Sequence, residues 1–240
     1  MQEIELIRTR YEQVVADIQQ CCQIVGRKPD EIMLVVVTKT HPVESIYAVI
    51  NAGARHLGEN YIEDALPKIQ ALRDKTEIVW HMIGHIQSRK AASVAENFDW
   101  VHSIDRMKIA RRIDQSLKEQ KKSIPVLLEC NVSGEMSKFG YPAWDENDWP
   151  ALAEELAPIF EFKQLQIRGL MTMAPYFEKE ELARPTFRRL RQLAEFLQPR
   201  FPDHKIDQLS MGMSGDYRIA IEEGATILRI GTAIMGQRST

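Results

Sequence analysis

The 240-residue chain predicts a single (β/α)8 barrel of the TIM type, residues 1–240 forming one domain, with an extra helix ahead of the first strand. Eight short apolar runs of strand length are separated by segments with helical spacing, the pattern of a parallel sheet. Eight such units in about 240 residues match the size at which a parallel sheet closes into a barrel. No low-complexity linker divides the chain. The alternative, an open doubly wound sheet, lacks its fingerprint of spaced glycines after the first strand.

The elements follow in order. Ile4, Ile7, Val14, Ile18 and Val25 recur near helical spacing and stop at Gly26, which predicts an amphipathic helix over Ile4–Val25. Ile32–Val37 is a continuous, largely β-branched run, as in strands buried on both faces. Pro42 opens a helix reaching Asn51. Arg55–Gly58 is a short strand, followed by a helix from Tyr61. Further strands are expected at Ile78–Ile83, Trp100–His102, Ile124–Asn131, Leu165–Met171, Gln208–Met211 and Ile227–Ile230. Helical patterns lie between them near 87–96, 106–120, 147–158, 180–198 and 215–222.

Composition narrows the function classes. A net charge of −3 gives no electrostatic case for nucleic acid, and the run of Arg188, Arg189 and Arg191 reads as the solvated face of a helix. No apolar stretch approaches the ~20 residues that span a bilayer, and the first residues do not resemble a signal peptide. Cys21, Cys22 and Cys130 show neither disulfide nor zinc spacing. A reduced, cytoplasmic setting is expected.

In a barrel, the carboxyl ends of the strands converge on one mouth, where active sites are built. Here those ends carry Lys39, Glu59-Asn60, Gly84-His85, Ser103, Asn131, Met171-Thr172, Ser210 and Arg229 to Thr232. Lys39 follows the most apolar strand. Beside a dry interior its ammonium is disfavoured, and a neutral amine captures carbonyls; the bland alternative is a lysine pointing to water. Ser210–Asp216 leads from the seventh strand into a helix, and Gly231-Thr232-Ala233 follows the eighth. Barrels often bind phosphate at these two loops. Lysine plus phosphate cup suggests a phosphorylated carbonyl, as substrate or as cofactor. Arg229 alternates with Leu228 and Ile230, so it points into the barrel if they point out. It then needs an acceptor, for which an internal glutamate such as Glu59 or Glu129 is one candidate.

Several segments together resemble the pyridoxal phosphate homeostasis protein family. They are Val36-Val37-Thr38-Lys39, Leu57-Gly58-Glu59-Asn60-Tyr61, Trp80-His81-Met82-Ile83-Gly84-His85-Ile86-Gln87, Ser137-Lys138-Phe139-Gly140, Gly169-Leu170-Met171-Thr172-Met173, Leu209–Ser214 and Arg229-Ile230-Gly231-Thr232. They arrive in the family's order and cover nearly the whole chain. One departure is Arg89-Lys90, where the family often has Asn-Lys, so no contact is carried over at position 89.

The resemblance implies a barrel like the amino-terminal domain of alanine racemase, with pyridoxal 5′-phosphate as a Schiff base on Lys39. It places Ser210, Met213, Ser214, Gly231 and Thr232 around the phosphate, Asn60 and Met171 along the ring pocket, and Arg229 opposite the pyridine nitrogen. His81 is either near the ring or a core histidine satisfied by a backbone carbonyl. Arginine at that nitrogen leaves it unprotonated and a poorer electron sink. No second, β-rich domain with a tyrosine base is evident, and only Lys39 reads as a base, so no catalytic residue is assigned. The expectation is a non-enzymatic, monomeric protein that buffers the cofactor in vitamin B6 and amino-acid homeostasis, with cofactor-requiring apoenzymes as candidate acceptors. The alternatives are a racemase-like enzyme acting on amino acids and a Schiff-base aldolase acting on a phosphorylated sugar.

Overall fold

The computed structural model describes residues 2–237. Helix α1 (Gln2–Ile24) precedes β1 (Met33–Val37), α2 (Val43–Asn51), β2 (His56–Glu59), α3 (Ile62–Ala71), β3 (Val79–Met82), α4 (Ala91–Asn97), β4 (Trp100–Ile104) and α5 (Met107–Glu119). Then come β5 (Ile124–Asn131), the two-residue β6 (Tyr141–Pro142), α6 (Trp149–Phe160), β7 (Leu165–Met171), α7 (Arg184–Leu197), β8 (Gln208–Ser210), α8 (Tyr217–Glu222), β9 (Ile227–Ile230) and the short α9 (Thr232–Met235).

Eight strands pair in parallel around a closed ring, β1-β2-β3-β4-β5-β7-β8-β9 and back to β1, while β6 pairs only with β5 outside it. The expected barrel is therefore present, with β6 and α9 as elements the sequence pattern did not reveal. Both are too short to carry a period.

Alternation along each strand separates two environments. Val36, Leu57, Val101, Leu128, Leu170 and Leu228 face outward and pack with the helices in the main core. Val35, Leu127, Met171 and Ile227 form a small apolar cluster apart from it, with Met33, Trp100 and Met173 against it. The same inward register carries buried His81, His102, Glu129, Ser210 and Arg229. The barrel interior is thus half polar, where barrels commonly stack branched apolar side chains.

Helix α1 buries Ile7, Val14, Ile18 and Cys22 against α2, α8 and α9, and Asp17 pairs with Arg218 and accepts from the Tyr217 hydroxyl. It is part of the outer helical layer. The arginines of α7 are engaged: Arg184, Arg188 and Arg191 converge on the buried Glu223, and Arg189 donates to the Val132 carbonyl.

One glycine carries the register of the sheet. Between Val126 and Leu127 the β5–β7 ladder skips from Ile167 to Gly169, so Arg168 is an extra, bulged residue. Gly169 sits at φ 155°, and a Cβ there would meet the Gln208 carbonyl oxygen at 1.9 Å. Since that carbonyl belongs to β8, neither strand can yield without breaking the ladder. Gly169→Ala is expected to destabilise the protein by about 2–4 kcal/mol, read as a lower denaturant midpoint with an unchanged slope.

Candidate functional site

The carboxyl ends of the strands open on a cleft of about 630 Å3. Lys39, Asn60, Met213, Ser214, Arg229, Gly231 and Thr232 line it. Three other residues singled out from the sequence do not. Met171, Ser210 and His81 have no exposed surface and lie in the barrel below the floor. They are one step too deep along their strands. At the β7 position the cleft-lining methionine is Met173, two residues on and on the same face. Ile83, Phe177 and Asp216 also line the cleft without having been foreseen, as does Tyr176, a 95% exposed tyrosine on the loop after β7. That loop carries no periodic signal, so its part in the wall was not readable from sequence.

The turn bearing Lys39 is held from behind. Thr40 adopts φ 65°, a left-handed conformation costly for a β-branched residue. Its N–H donates to Asp64 Oδ2 at 2.8 Å. The Lys68 ammonium, buried beneath α3, donates to the Thr38 carbonyl (3.0 Å), Glu59 Oε1 (2.8 Å) and Asp64 Oδ2 (3.0 Å). The Thr38 hydroxyl reaches the same Glu59 oxygen at 2.6 Å. Two flanks of Lys39 are therefore tied to β2 and α3, and Lys39 itself is half-buried.

Asn60 is set by close approach. A Cβ on Gly84 would lie 2.2 Å from the Asn60 carbonyl oxygen, so only glycine lets the end of β3 come this near. Asn60 Oδ1 is buried and has no hydrogen-bond donor. On the far wall, Asp216 Oδ1 accepts from the Met213 N–H (2.6 Å), and the Ala233 N–H donates to Ser214 Oγ (3.1 Å). The second of these bonds ties the loop after β8 to the first turn of α9.

Arg229 is the floor. It is 4% exposed and donates to Ser210 Oγ (2.5 Å) and to the Thr172 carbonyl (2.8 Å). Neither Glu59 nor Glu129 forms an ion pair with it; Glu59 points outward to Lys68. Burial pulls the Arg229 guanidinium down to about 10, with the charges of Glu129 and Asp216 opposing. Burial also pushes Glu129 up to about 7, reinforced by Asp105 and opposed by Arg229 and Arg106. Glu129 Oε2 has no hydrogen-bond partner.

A second cleft of about 410 Å3 shares Asn60, Ile83 and Met173 with the first. Glu129, His85, Arg89 and Phe139 line it, and Phe139 stacks on His85 with ring centroids 3.9 Å apart. Lys138 fastens the preceding loop by donating to the Met173 carbonyl at 2.7 Å. Among the described residues, no three or more His, Cys, Asp or Glu side chains gather where they could hold a metal ion.

The site can bind an anion near Ser214 and Thr232, offer a primary amine at Lys39 and offer guanidinium hydrogens from Arg229 to an acceptor. Two stability outcomes follow from its supports. Lys68→Ala leaves Glu59 buried without its cation and is expected to cost about 3–5 kcal/mol, measured by chemical denaturation. Glu129 has a folded pKa above its unfolded one, so the folded state holds the proton longer. Stability then falls as pH rises from the usual glutamate range through about 7. Glu129→Gln is expected to flatten that slope and to be the more stable form above pH 7, checked by melting curves across pH 4–8.

Comparison with known proteins places this geometry. Residues 10–239 match the family described as alanine racemase, N-terminal domain. A pyridoxal phosphate homeostasis protein of Vibrio alginolyticus is 41% identical over 97% of both chains. PipY of Synechococcus elongatus, whose structures are known with and without pyridoxal phosphate, is 34% identical. Its ligand-free structure superposes with a TM-score of 0.81 over 91% of this chain and 99% of that one, the loaded structure with 0.79 over the same shares. Alanine racemase of Streptomyces coelicolor, at 15% identity, has the same fold over 96% of this chain and 58% of its own, with a TM-score of 0.72. A barrel that gathers lysine, arginine and two small-residue loops at one mouth, with relatives this similar over nearly its whole length, belongs to the pyridoxal phosphate homeostasis protein family.

Proposed function

We propose that this protein binds pyridoxal 5′-phosphate in the 630 Å3 cleft, held by a Schiff base on Lys39, and keeps the cofactor available without turning over substrates. The observation that carries this reading is the donor set of one cleft: an amine at Lys39, hydroxyls at Ser214 and Thr232, and a guanidinium at Arg229. These match, in kind, an aldehyde, a phosphate and a pyridine nitrogen. The unsatisfied Asn60 Oδ1 adds a buried acceptor that a ring hydroxyl would satisfy.

When bound, the cofactor supplies an aldehyde that condenses with a primary amine, releasing water, and a ring that can accept electrons. The chain's residues do the rest. Lys39 presents the amine from a turn that Asp64 and Lys68 hold in place. Ser214, Gly231 and Thr232 give the phosphate hydroxyl and backbone contacts, which glycine lets approach closely. Arg229 is charged and donor-only, so it favours an unprotonated ring nitrogen and weakens the ring as an electron sink.

Two observations support a carrier over an enzyme. The other titratable groups lining the cleft, among the described residues, are Tyr176, Glu180 and Asp216. Asp216 is committed to the Met213 N–H, while Tyr176 and Glu180 are exposed. The matching relatives are themselves named for homeostasis of the cofactor. Action in the cytoplasm, as a monomer handing the cofactor to apoenzymes, belongs to the same proposal.

The purified protein is expected to show a visible absorption band that borohydride bleaches, and Lys39→Ala to lose it. A colourless protein that takes up no added pyridoxal phosphate would overturn the cofactor reading. With an amino-acid panel, turnover is expected below about 1 s−1, the low end for dedicated enzymes; faster racemisation or transamination would overturn the carrier reading alone.

A further inference from the structure

Three histidines and one serine cross the barrel in an unbroken line. His56 Nδ1 lies 2.9 Å from His81 Nε2, His81 Nδ1 lies 2.9 Å from His102 Nε2, and His102 Nδ1 lies 2.9 Å from Ser210 Oγ. Arg229 donates to the same Ser210 oxygen. His81, His102 and Ser210 have no solvent exposure, and Trp100 stacks on His81 with centroids 5.7 Å apart. The two ends open on different sides. Arg229 lines the cleft with Lys39, whereas His56, at the start of β2, lines a cavity of about 580 Å3 with Arg55, Asp30 and Glu31.

Hydrogen-bond chemistry fixes the direction of this line. A nitrogen–nitrogen contact holds one hydrogen, and a guanidinium only donates. Ser210 therefore accepts from Arg229, and its own hydrogen has one acceptor among the described residues, His102 Nδ1. His102 must then carry its hydrogen on Nε2 and donate to His81 Nδ1. His81 does the same toward His56.

We propose that His56, His81, His102 and Ser210 are positioning residues that form one polarised relay, all three imidazoles neutral with hydrogen on Nε2, which holds Arg229 as a fixed donor to the cleft. Protonating His56 on Nδ1 would reverse every bond in the line. Ser210 would then accept from both sides, and its hydrogen would have no described partner. The relay therefore resists protonation as a unit. Burial keeps His81 and His102 well below the usual histidine range, with the neighbouring imidazoles and Arg229 adding to it, and lowers His56 against the opposing charge of Asp99. Asp30, Glu31 and Arg55 face His56 around its cavity, and Glu129 faces Arg229 from β5.

The relay is a property of the chain itself; only its purpose rests on the cofactor reading. Nitrogen NMR of histidine-labelled protein tests it, with His56→Gln assigning one ring by subtraction. At neutral pH, His56, His81 and His102 are each expected as the neutral Nε2–H tautomer, with no titration of His81 or His102 between pH 5 and 8. Ser210→Ala is expected to mix the tautomers of His102 and His81, and Ser210→Thr to restore them. An Nδ1–H tautomer or a charged ring at 81 or 102 in the wild type overturns the relay, even if the alanine variant does not fold. So does a folded Ser210→Ala with unchanged tautomers. Adding pyridoxal phosphate is expected to move the His102 Nδ1 resonance; an intact relay with no such movement would sink the Arg229–cofactor contact and leave the relay standing.

Discussion

A guanidinium inside a barrel has to be solvated by the protein around it, and Arg229 sets that demand here. It is 4% exposed and makes no direct ion pair among the described residues, so its hydrogens are met by Ser210 Oγ and the Thr172 carbonyl. Leaving such a group unpaired would cost several kcal/mol. Once Ser210 is committed to Arg229, its hydroxyl hydrogen needs its own acceptor, which brings in His102, then His81, then His56. The line of polar groups from Ser210 to His56 is the consequence of one buried cation. What Arg229 gains is orientation, because a side chain donating to two fixed oxygens presents its remaining hydrogens to the cleft in one direction.

Lys39 is handled in the opposite manner. It stands on a turn rather than inside a strand, so its placement depends on backbone support. Asp64 and Lys68, one helical turn apart on α3, grip the turn at Thr40 and Thr38, and Glu59 closes the network from β2. The left-handed Thr40 shows that the turn is forced into place by these bonds. Arg229 and Lys39, which both line the cleft, are thus held by separate networks, one inside the barrel and one outside β2.

The cleft and its neighbour also share a wall. Asn60, Ile83 and Met173 border both, and Lys138 anchors the loop after β5 to the Met173 carbonyl. Glu129, pushed up to about 7, lies on the second cleft beside an electrostatic partner, Arg229, on the first. The Glu129 carboxyl and the Arg229 guanidinium thus couple the two clefts electrostatically.

The sequence by itself determined the barrel, since eight apolar runs with helices between them admit few other closures. It also marked Lys39, Asn60, Ser214, Arg229 and Thr232, because strand ends and small-residue loops are visible as local patterns. Depth was not. Ser210, Met171 and His81 stand on the right strands and the right face, yet one layer below the cleft, because strand stagger in a closed barrel is set by pairing register rather than by local sequence. The bulge at Arg168 alters that register by one residue, and only the approach of the Gln208 carbonyl to Gly169 shows why it is there. Likewise, two lone histidines carry no signal that they lie 2.9 Å apart across adjacent strands. Pattern determined which side chains face inward; packing in three dimensions decided which of them meet the cleft and which meet each other.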